Sequence, residues 1–287
     1  MLDAHNAYPD RGRFADRIDT ALATGLPLAI EQDLAWCRSA GGALAPVVSH
    51  ETTCVGGEPT LEAYFFEHVR PIMEAALEKG PSADWPLVTL NLDFKTNEPE
   101  HHAAVWTLLT RYARWLTTAP KLASAATVAA LQAGPLLVLT GSSDIQQQTF
   151  YDAVPTGGQL LVFGAIAGIG PPEGDATALP LATPATNYRR WWNHPWSVVE
   201  GKGQRAAGDW TPAEAARLEA IVADAHVHGL WIRFYTLNGL AGDRDGWTAS
   251  YNFGSLDAAR LRWRAAVDAR VDFIATDQYT EFARLRQ

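Results

Sequence analysis

Two hydrophobic rhythms alternate along the chain. Short apolar or alternating runs of strand length occupy residues 28–33, 46–50, 87–95, 136–140, 160–163, 230–235 and 271–275. Between them lie stretches with helical spacing. Residues 14–23 carry apolar side chains at 14, 15, 18, 21 and 22, and residues 61–77 at 61, 65, 69, 72, 73 and 76. Residues 103–116 repeat the pattern, and residues 255–267 and 280–285 close the chain in the same way. A further helix is predicted to open at Pro212. Thr211 is its N-cap and Glu214 stands three residues on, the spacing of a capping box. Residues 165–187, rich in Gly, Pro, Ala and Thr, read as a long surface loop.

Strands that alternate with helices predict a parallel sheet with crossover helices. With a short first strand before His5, the runs number about eight, which suits a TIM-type (β/α)8 barrel formed as a single domain over residues 1–287. No glycine-rich dinucleotide fingerprint follows the first strand.

Composition narrows the picture. The 287 residues are 47% hydrophobic and 19% charged, enough for a sizeable core. The net charge of -9, with no basic run, argues against a nucleic-acid partner. No apolar run is long enough to span a bilayer, so no transmembrane segment is predicted. The strand so close to Met1 leaves two localisations open: secreted or periplasmic if a leader was removed, otherwise cytoplasmic. Cys37 and Cys54 each follow a candidate site residue by four positions; a bridge between neighbouring loops and two unpaired thiols are both open.

The polar residues fall where the strands end. His5 and Asn6 end the first, Glu31 and Asp33 the second, His50 the third, and Asp93 and Lys95 the fourth. In a parallel barrel those ends share one rim, where barrel active sites lie. A strand alternates its side chains, so Glu31 and Asp33 share one side, as do Asp93 and Lys95. Three carboxylates converging there repel one another unless a cation sits among them, and oxygen donors favour one divalent ion, Mg²⁺ or Ca²⁺. Asn6 offers a neutral oxygen to the same ion, and Lys95 a positive charge for an anionic substrate. His5 and His50, with pKa values that start near neutrality, suit acid–base work. Trp191, Trp192 and Trp196 suggest an aromatic rim pocket for a ring or a head group. His101 and His102 read as exposed at a helix start, and His194 as a weaker rim candidate.

Taken together, His5-Asn6, Glu31-x-Asp33, His50 and Asp93-x-Lys95 resemble the PLC-like phosphodiesterase superfamily, which includes phosphatidylinositol-specific phospholipase C, glycerophosphodiester phosphodiesterases and sphingomyelinase D. The stretches His5-Asn6-Ala7-Tyr8 and Leu92-Asp93-Phe94-Lys95-Thr96 look most like the branch typified by altered inheritance of mitochondria protein 6. The resemblance covers residues 1 to about 100 and weakens beyond, where residues 233–238 and 271–277 look like the family's late strands. It implies a phosphoric diester hydrolase with His5 and His50 as acid and base. It also implies Glu31, Asp33, Asp93 and Asn6 around one Mg²⁺ or Ca²⁺, and Lys95 facing the phosphate of a small-molecule or lipid phosphodiester. Arg233, Tyr235 and Trp191 are the further candidates for substrate contact. Asn6-Ala7 departs from the His-Arg-Gly of glycerophosphodiesterases, which argues against a glycerophosphodiester substrate. The rival readings are a glycoside hydrolase-like barrel, suited to paired carboxylates and many tryptophans, and a metal-binding barrel without turnover.

Overall fold

The structure is a computed structural model, and it describes residues 1–10, 13–39, 41–169, 178–200, 208–240 and 252–286. Eleven strands appear among them: β1 (Leu2–Ala4), β2 (Leu28–Arg38), β3 (Leu44–Val48), β4 (Val88–Phe94), β5 (Ala119–Pro120), β6 (Leu136–Thr140), β7 (Gln159–Leu160), β8 (Phe163–Ala165), β9 (Arg189–Pro195), β10 (Trp231–Tyr235) and β11 (Phe273–Thr276). The hydrogen-bonded order is β1-β11-β10-β9-β8-β6-β4-β2-β3, with β1 also paired to β2. Eight strands thus follow one another back to the first, with helices between them, which is the strand order of a TIM-type (β/α)8 barrel.

Tertiary contacts divide the chain into two compact units. One comprises residues 6–165 and 186–189. In it β2, β4, β6 and β8 pair in parallel, in that order. α1 (Arg17–Leu22) precedes β2, and the crossovers between these strands run through α2 (Glu67–Lys79), α3 (Pro99–Arg111) and α4 (Asp144–Gln147). Leu28, Ile30, Leu90, Leu92 and Val138 are all buried, and the register puts them on one face of these strands. The π-helical turn Glu62–Phe66 precedes α2 and buries Tyr64, Phe65 and Phe66.

The other unit comprises residues 1–5, 166–185 and 190–287. Its strands β9, β10, β11 and β1 also run parallel. The helix predicted at Pro212 is α5 (Pro212–Val227), and both halves of its capping box are formed. α6 (Leu256–Asp268) is capped by Ser255, and α7 (Tyr279–Ala283) follows β11. The buried Glu200 carboxylate takes two hydrogen bonds from Arg262 and one from the Trp196 indole, which fixes that tryptophan inside the unit.

Three expectations need correction. The run 46–50 is not a barrel strand: β3 pairs antiparallel with β2, Leu34 opposite Val48 and Arg38 opposite Leu44. The connection through Ser39 and Gly42 is a tight turn, far too short for the crossover that a parallel partner needs. The strand that completes the count is β9, which runs through the tryptophan cluster. Its polar residues hide the strand pattern in the sequence: Arg190 and His194 are buried, whereas Arg189 is half-buried and Asn193 exposed. His101 and His102 are fully buried in α3, not exposed. In the predicted loop 165–187 only Ala165, the last residue of β8, belongs to a strand among the described residues, and residues 170–177 lie outside them.

Cys37 and Cys54 form a disulfide. It ties the end of β2 to the segment that follows His50. Closing a loop of this length stabilises by about 3 kcal/mol through the entropy of the unfolded chain. Replacing both cysteines by serine should lower the stability of the unit by about 2–4 kcal/mol in urea denaturation.

Candidate metal centre

The register of β2 and β4 builds the centre. Glu31 lies beside Asn91 and Asp33 beside Asp93. Neighbours in a parallel ladder face the same side, so the three carboxylates converge. One oxygen from each of Glu31, Asp33 and Asp93 lies within 4.8 Å of the others. Glu31 and Asp33 are buried, whereas the Asp93 side chain is 48% exposed and forms the open side.

The surrounding groups hold these oxygens in place. Lys95 Nζ sits 2.9 Å from Asp33 Oδ2 and 2.7 Å from Asp93 Oδ2. The Tyr8 hydroxyl lies 2.6 Å from both Asp33 Oδ2 and Asn6 Oδ1. The Asn6 backbone N–H donates to Glu31 Oε2 at 3.1 Å. Asn6 reaches that position with φ at 54°, a left-handed conformation that asparagine tolerates better than most residues. The Arg17 guanidinium donates to its carbonyl. Asp33 Oδ1 is buried with no hydrogen-bond partner among the described residues.

The electrostatics match the crowding. Burial, then the charges of Asp93 and Glu31, push the Asp33 carboxyl well above the usual range, and Lys95 only partly offsets them. Burial lowers the affinity of Lys95 for its proton, but Asp33 and Asp93 more than offset this and hold the ammonium above its ordinary pKa. An orphaned buried carboxylate oxygen within an all-oxygen donor set is what a hard divalent cation needs, so the residues fit such an ion.

His50 reaches this neighbourhood through the backbone. The Ser49 N–H donates to the Asp33 carbonyl at 2.9 Å, and the Lys95 N–H to the Leu34 carbonyl at 2.8 Å. Residues 33–34, 49 and 95 are thereby locked side by side. The His50 pKa is lowered, first by burial and then by the Lys95 charge, against raising contributions from Glu51, Asp93 and Asp10. Its side chain remains 45% exposed.

The remaining candidates belong to the other unit. His5 Nδ1 lies 2.7 Å from Asp277 Oδ1, the ring stacks near Tyr235 at 6.4 Å, and the Tyr279 hydroxyl donates to the His5 carbonyl. Asp277 in turn takes up its place through its N–H, which donates to Asn238 Oδ1. The Arg233 guanidinium is buried in an ion pair with Asp3 and donates to Asn193 Oδ1 at 3.1 Å. Trp191 is only 1% exposed, within β9. Sequence reasoning gave no role to Tyr8 or Asp277. Tyr8 stood inside the quoted His5–Tyr8 motif, and Asp277 at the end of the last strand, a position where a barrel places polar site residues.

His101 and His102 sit behind the centre. His101 stacks on Trp36 at 5.6 Å and meets Phe94 edge-on, as His102 does. Neither ring nitrogen of His102 has a hydrogen-bond partner among the described residues. Burial lowers both pKa values, that of His101 to about 4.

No family model and no curated protein matches this sequence. Among solved structures, the chain is similar to a glycerophosphoryl diester phosphodiesterase from Parabacteroides distasonis. The identity is 11%, the match covers 99% of this chain and 85% of that one, and the TM-score is 0.45.

The buried histidines predict an acid-sensitive fold. In the folded chain they resist protonation until well below the unfolded value of about 6.5, so the unfolded state binds more protons between the two. Stability should therefore be full above about pH 6.5 and fall as the pH drops toward 4, the value to which His101 is lowered. His102→Phe should flatten that loss without destabilising the protein at pH 7.5. Urea midpoints across the range measure both.

Proposed function

We propose that the chain is a metal-dependent phosphoric diester hydrolase whose centre is the carboxylate triad Glu31, Asp33 and Asp93. The observation that carries this reading is the convergence of one oxygen from each of these carboxylates within 4.8 Å, at a site where Asp33 also has a buried oxygen without a hydrogen-bond partner among the described residues, beside a lysine and a histidine. A cation held by Glu31, Asp33 and Asp93, with Asn6 at hand, is Mg²⁺ or Ca²⁺. When bound it supplies positive charge for a nonbridging phosphoryl oxygen and for the charge that builds in the transition state.

The chain's own residues account for the rest. Lys95 adds a second positive charge for the phosphoryl group. His50, neutral at pH 7 because its pKa is lowered, takes the proton from the attacking water or substrate hydroxyl. His5, joined to Asn6 by one peptide bond, gives a proton to the leaving oxygen. Asp277 fixes its orientation by holding Nδ1, as the carboxylate partner of a catalytic histidine does. Tyr8 and the Asn6 N–H hold Asp33 and Glu31 in position. The substrate is a small-molecule or lipid-derived phosphodiester, and the resemblance of residues 1 to about 100 to the PLC-like superfamily supports that class. Arg233, Tyr235 and Trp191 remain proposed substrate-side residues, acting through the packing of β9 and β10. The disulfide suits an oxidising compartment, which favours a secreted or periplasmic setting. No helix among the described residues is long and apolar enough to cross a membrane.

Hydrolysis of bis(p-nitrophenyl) phosphate should need Mg²⁺ or Ca²⁺ and stop with chelator. Cleavage of aryl glycosides that persists in chelator would instead support a carbohydrate-active barrel. Tyr8→Phe should weaken the metal by about 10–100-fold in calorimetric titration, because it removes the donor that orients Asp33. His50→Ala should lower kcat/KM by at least about 10²-fold. The wild-type rate should fall on acidification through a pKa below the ordinary histidine value, since protonated His50 is no base. The variant should lose that limb of the profile, and a variant that keeps both rate and limb removes His50 from the mechanism.

A further inference from the structure

Gln32 lies between Glu31 and Asp33 on β2, and a strand alternates its sides, so it faces away from the carboxylate centre. Leu28, Ile30 and Leu34 share its face, and all three are apolar and buried. Gln32 is 0% exposed. A buried amide among apolar neighbours is unfavourable unless hydrogen bonds offset its lost hydration. An apolar side chain would suit this stripe without that cost.

The bonds that Gln32 makes explain the amide. Its Nε2 donates at 2.7 Å to the Ala7 carbonyl and at 2.7 Å to the Glu31 carbonyl. These partners fix its orientation, because the opposite one would turn Oε1 against two carbonyl oxygens. Oε1 is buried without a hydrogen-bond partner among the described residues. The side chain thus forgoes one interaction and keeps two, both with backbone.

The Ala7 carbonyl belongs to a turn that needs holding. Residues 6–8 lie in no helix or strand, and Asn6 is left-handed, with φ at 54°. The Tyr8 N–H closes the turn on the Asn6 carbonyl at 2.9 Å. The buried Arg17 guanidinium donates to the same carbonyl at 3.3 Å and lies over the Phe14 ring at 4.2 Å. Gln32 and Arg17 therefore grip consecutive carbonyls of one turn. That turn delivers two donors to the centre: the Asn6 N–H to Glu31 Oε2 at 3.1 Å and the Tyr8 hydroxyl to Asp33 Oδ2 at 2.6 Å. A left-handed turn released from its partners relaxes, and hydrogen bonds weaken steeply when their donors tilt.

We infer that Gln32 and Arg17 are positioning residues of the carboxylate centre. They act through the turn at residues 6–8, which aims its donors at Glu31 and Asp33 and so sets how those carboxylates face a cation. The inference rests on the metal-dependent reading for its effect on ion binding, but the hold on the turn is measurable without any metal.

Gln32→Met keeps the length of the side chain and removes the amide, and Arg17→Met removes the donor to the Asn6 carbonyl. Amide exchange of the Asn6 N–H, followed by NMR on the whole chain in chelator, reads the turn directly. Each variant should speed it at least about tenfold and leave the amides of β4 and β6 unchanged. In calorimetric titration each should bind Ca²⁺ and Mg²⁺ at least about tenfold more weakly than the wild type. Unchanged Asn6 exchange overturns the proposal. A rise of the same size across β4 and β6 also overturns it, since the two residues then support the fold in general. Faster Asn6 exchange with undiminished metal affinity does the same. Faster Asn6 exchange in a protein whose wild type binds neither cation keeps the positioning role and fails the metal reading. Should Gln32→Met not fold, Arg17→Met carries the same comparison.

Discussion

Three carboxylates forced together on one face of two neighbouring strands set the terms for everything around them. Two unit charges 4–5 Å apart repel by about 3–4 kcal/mol at an effective dielectric constant of about 20. Glu31 and Asp33 add the cost of burial. The β2–β4 register makes the convergence unavoidable, because residues 31, 33, 91 and 93 fall on one side as soon as the two strands pair. The protein answers with the Lys95 ammonium and the Tyr8 hydroxyl on Asp33 Oδ2, the same ammonium on Asp93 Oδ2, and the Asn6 amide on Glu31 Oε2. Asp33 Oδ1 stays buried without a hydrogen-bond partner among the described residues. The proposed cation completes a balance that the fold itself leaves incomplete.

The histidines show how environment separates one residue type into different roles. His50 stands on an antiparallel flap, half exposed, next to an ammonium that disfavours its own charge. His5 is buried against a carboxylate, which fixes the tautomer and the direction of the ring. His101 and His102 are packed among Trp36, Phe94 and Phe150 and act as aromatic wedges behind the centre. Nothing in the local sequence distinguishes these cases. Burial and nearby charge decide them, and both depend largely on residues remote in the chain, such as Lys95 for His50 and Asp277 for His5.

The flap also explains why the disulfide lies where it does. Among the described residues β3 pairs with one strand, β2, and the segment after it continues without a strand of its own. The bridge from Cys37 to Cys54 and the Val48 to Pro59 hydrogen bond limit that freedom on both sides of His50. A cavity of about 510 Å³ lies between this stapled segment and Pro9–Asp10.

Much of the framework was legible in the sequence because it depends on local rules. The strand–helix alternation, the capping box at Thr211, and the pairing of Glu31 with Asp33 and of Asp93 with Lys95 all follow from periodicity and from the chemistry of a few neighbouring residues. The misreadings have one cause. β3 was counted as a barrel strand and β9 was passed over because a strand's pairing direction and its burial are properties of its neighbours, not of its own pattern. For the same reason the sequence offered His101 and His102 to solvent while the packing of α3 enclosed them. Side-chain alternation along a strand is fixed by the backbone, so the sequence by itself determined which carboxylates share a face. Which oxygen is left without a donor, which histidine is shielded, and that the cysteines meet were decided by tertiary structure alone, since each depends on distances between segments that the chain order does not encode.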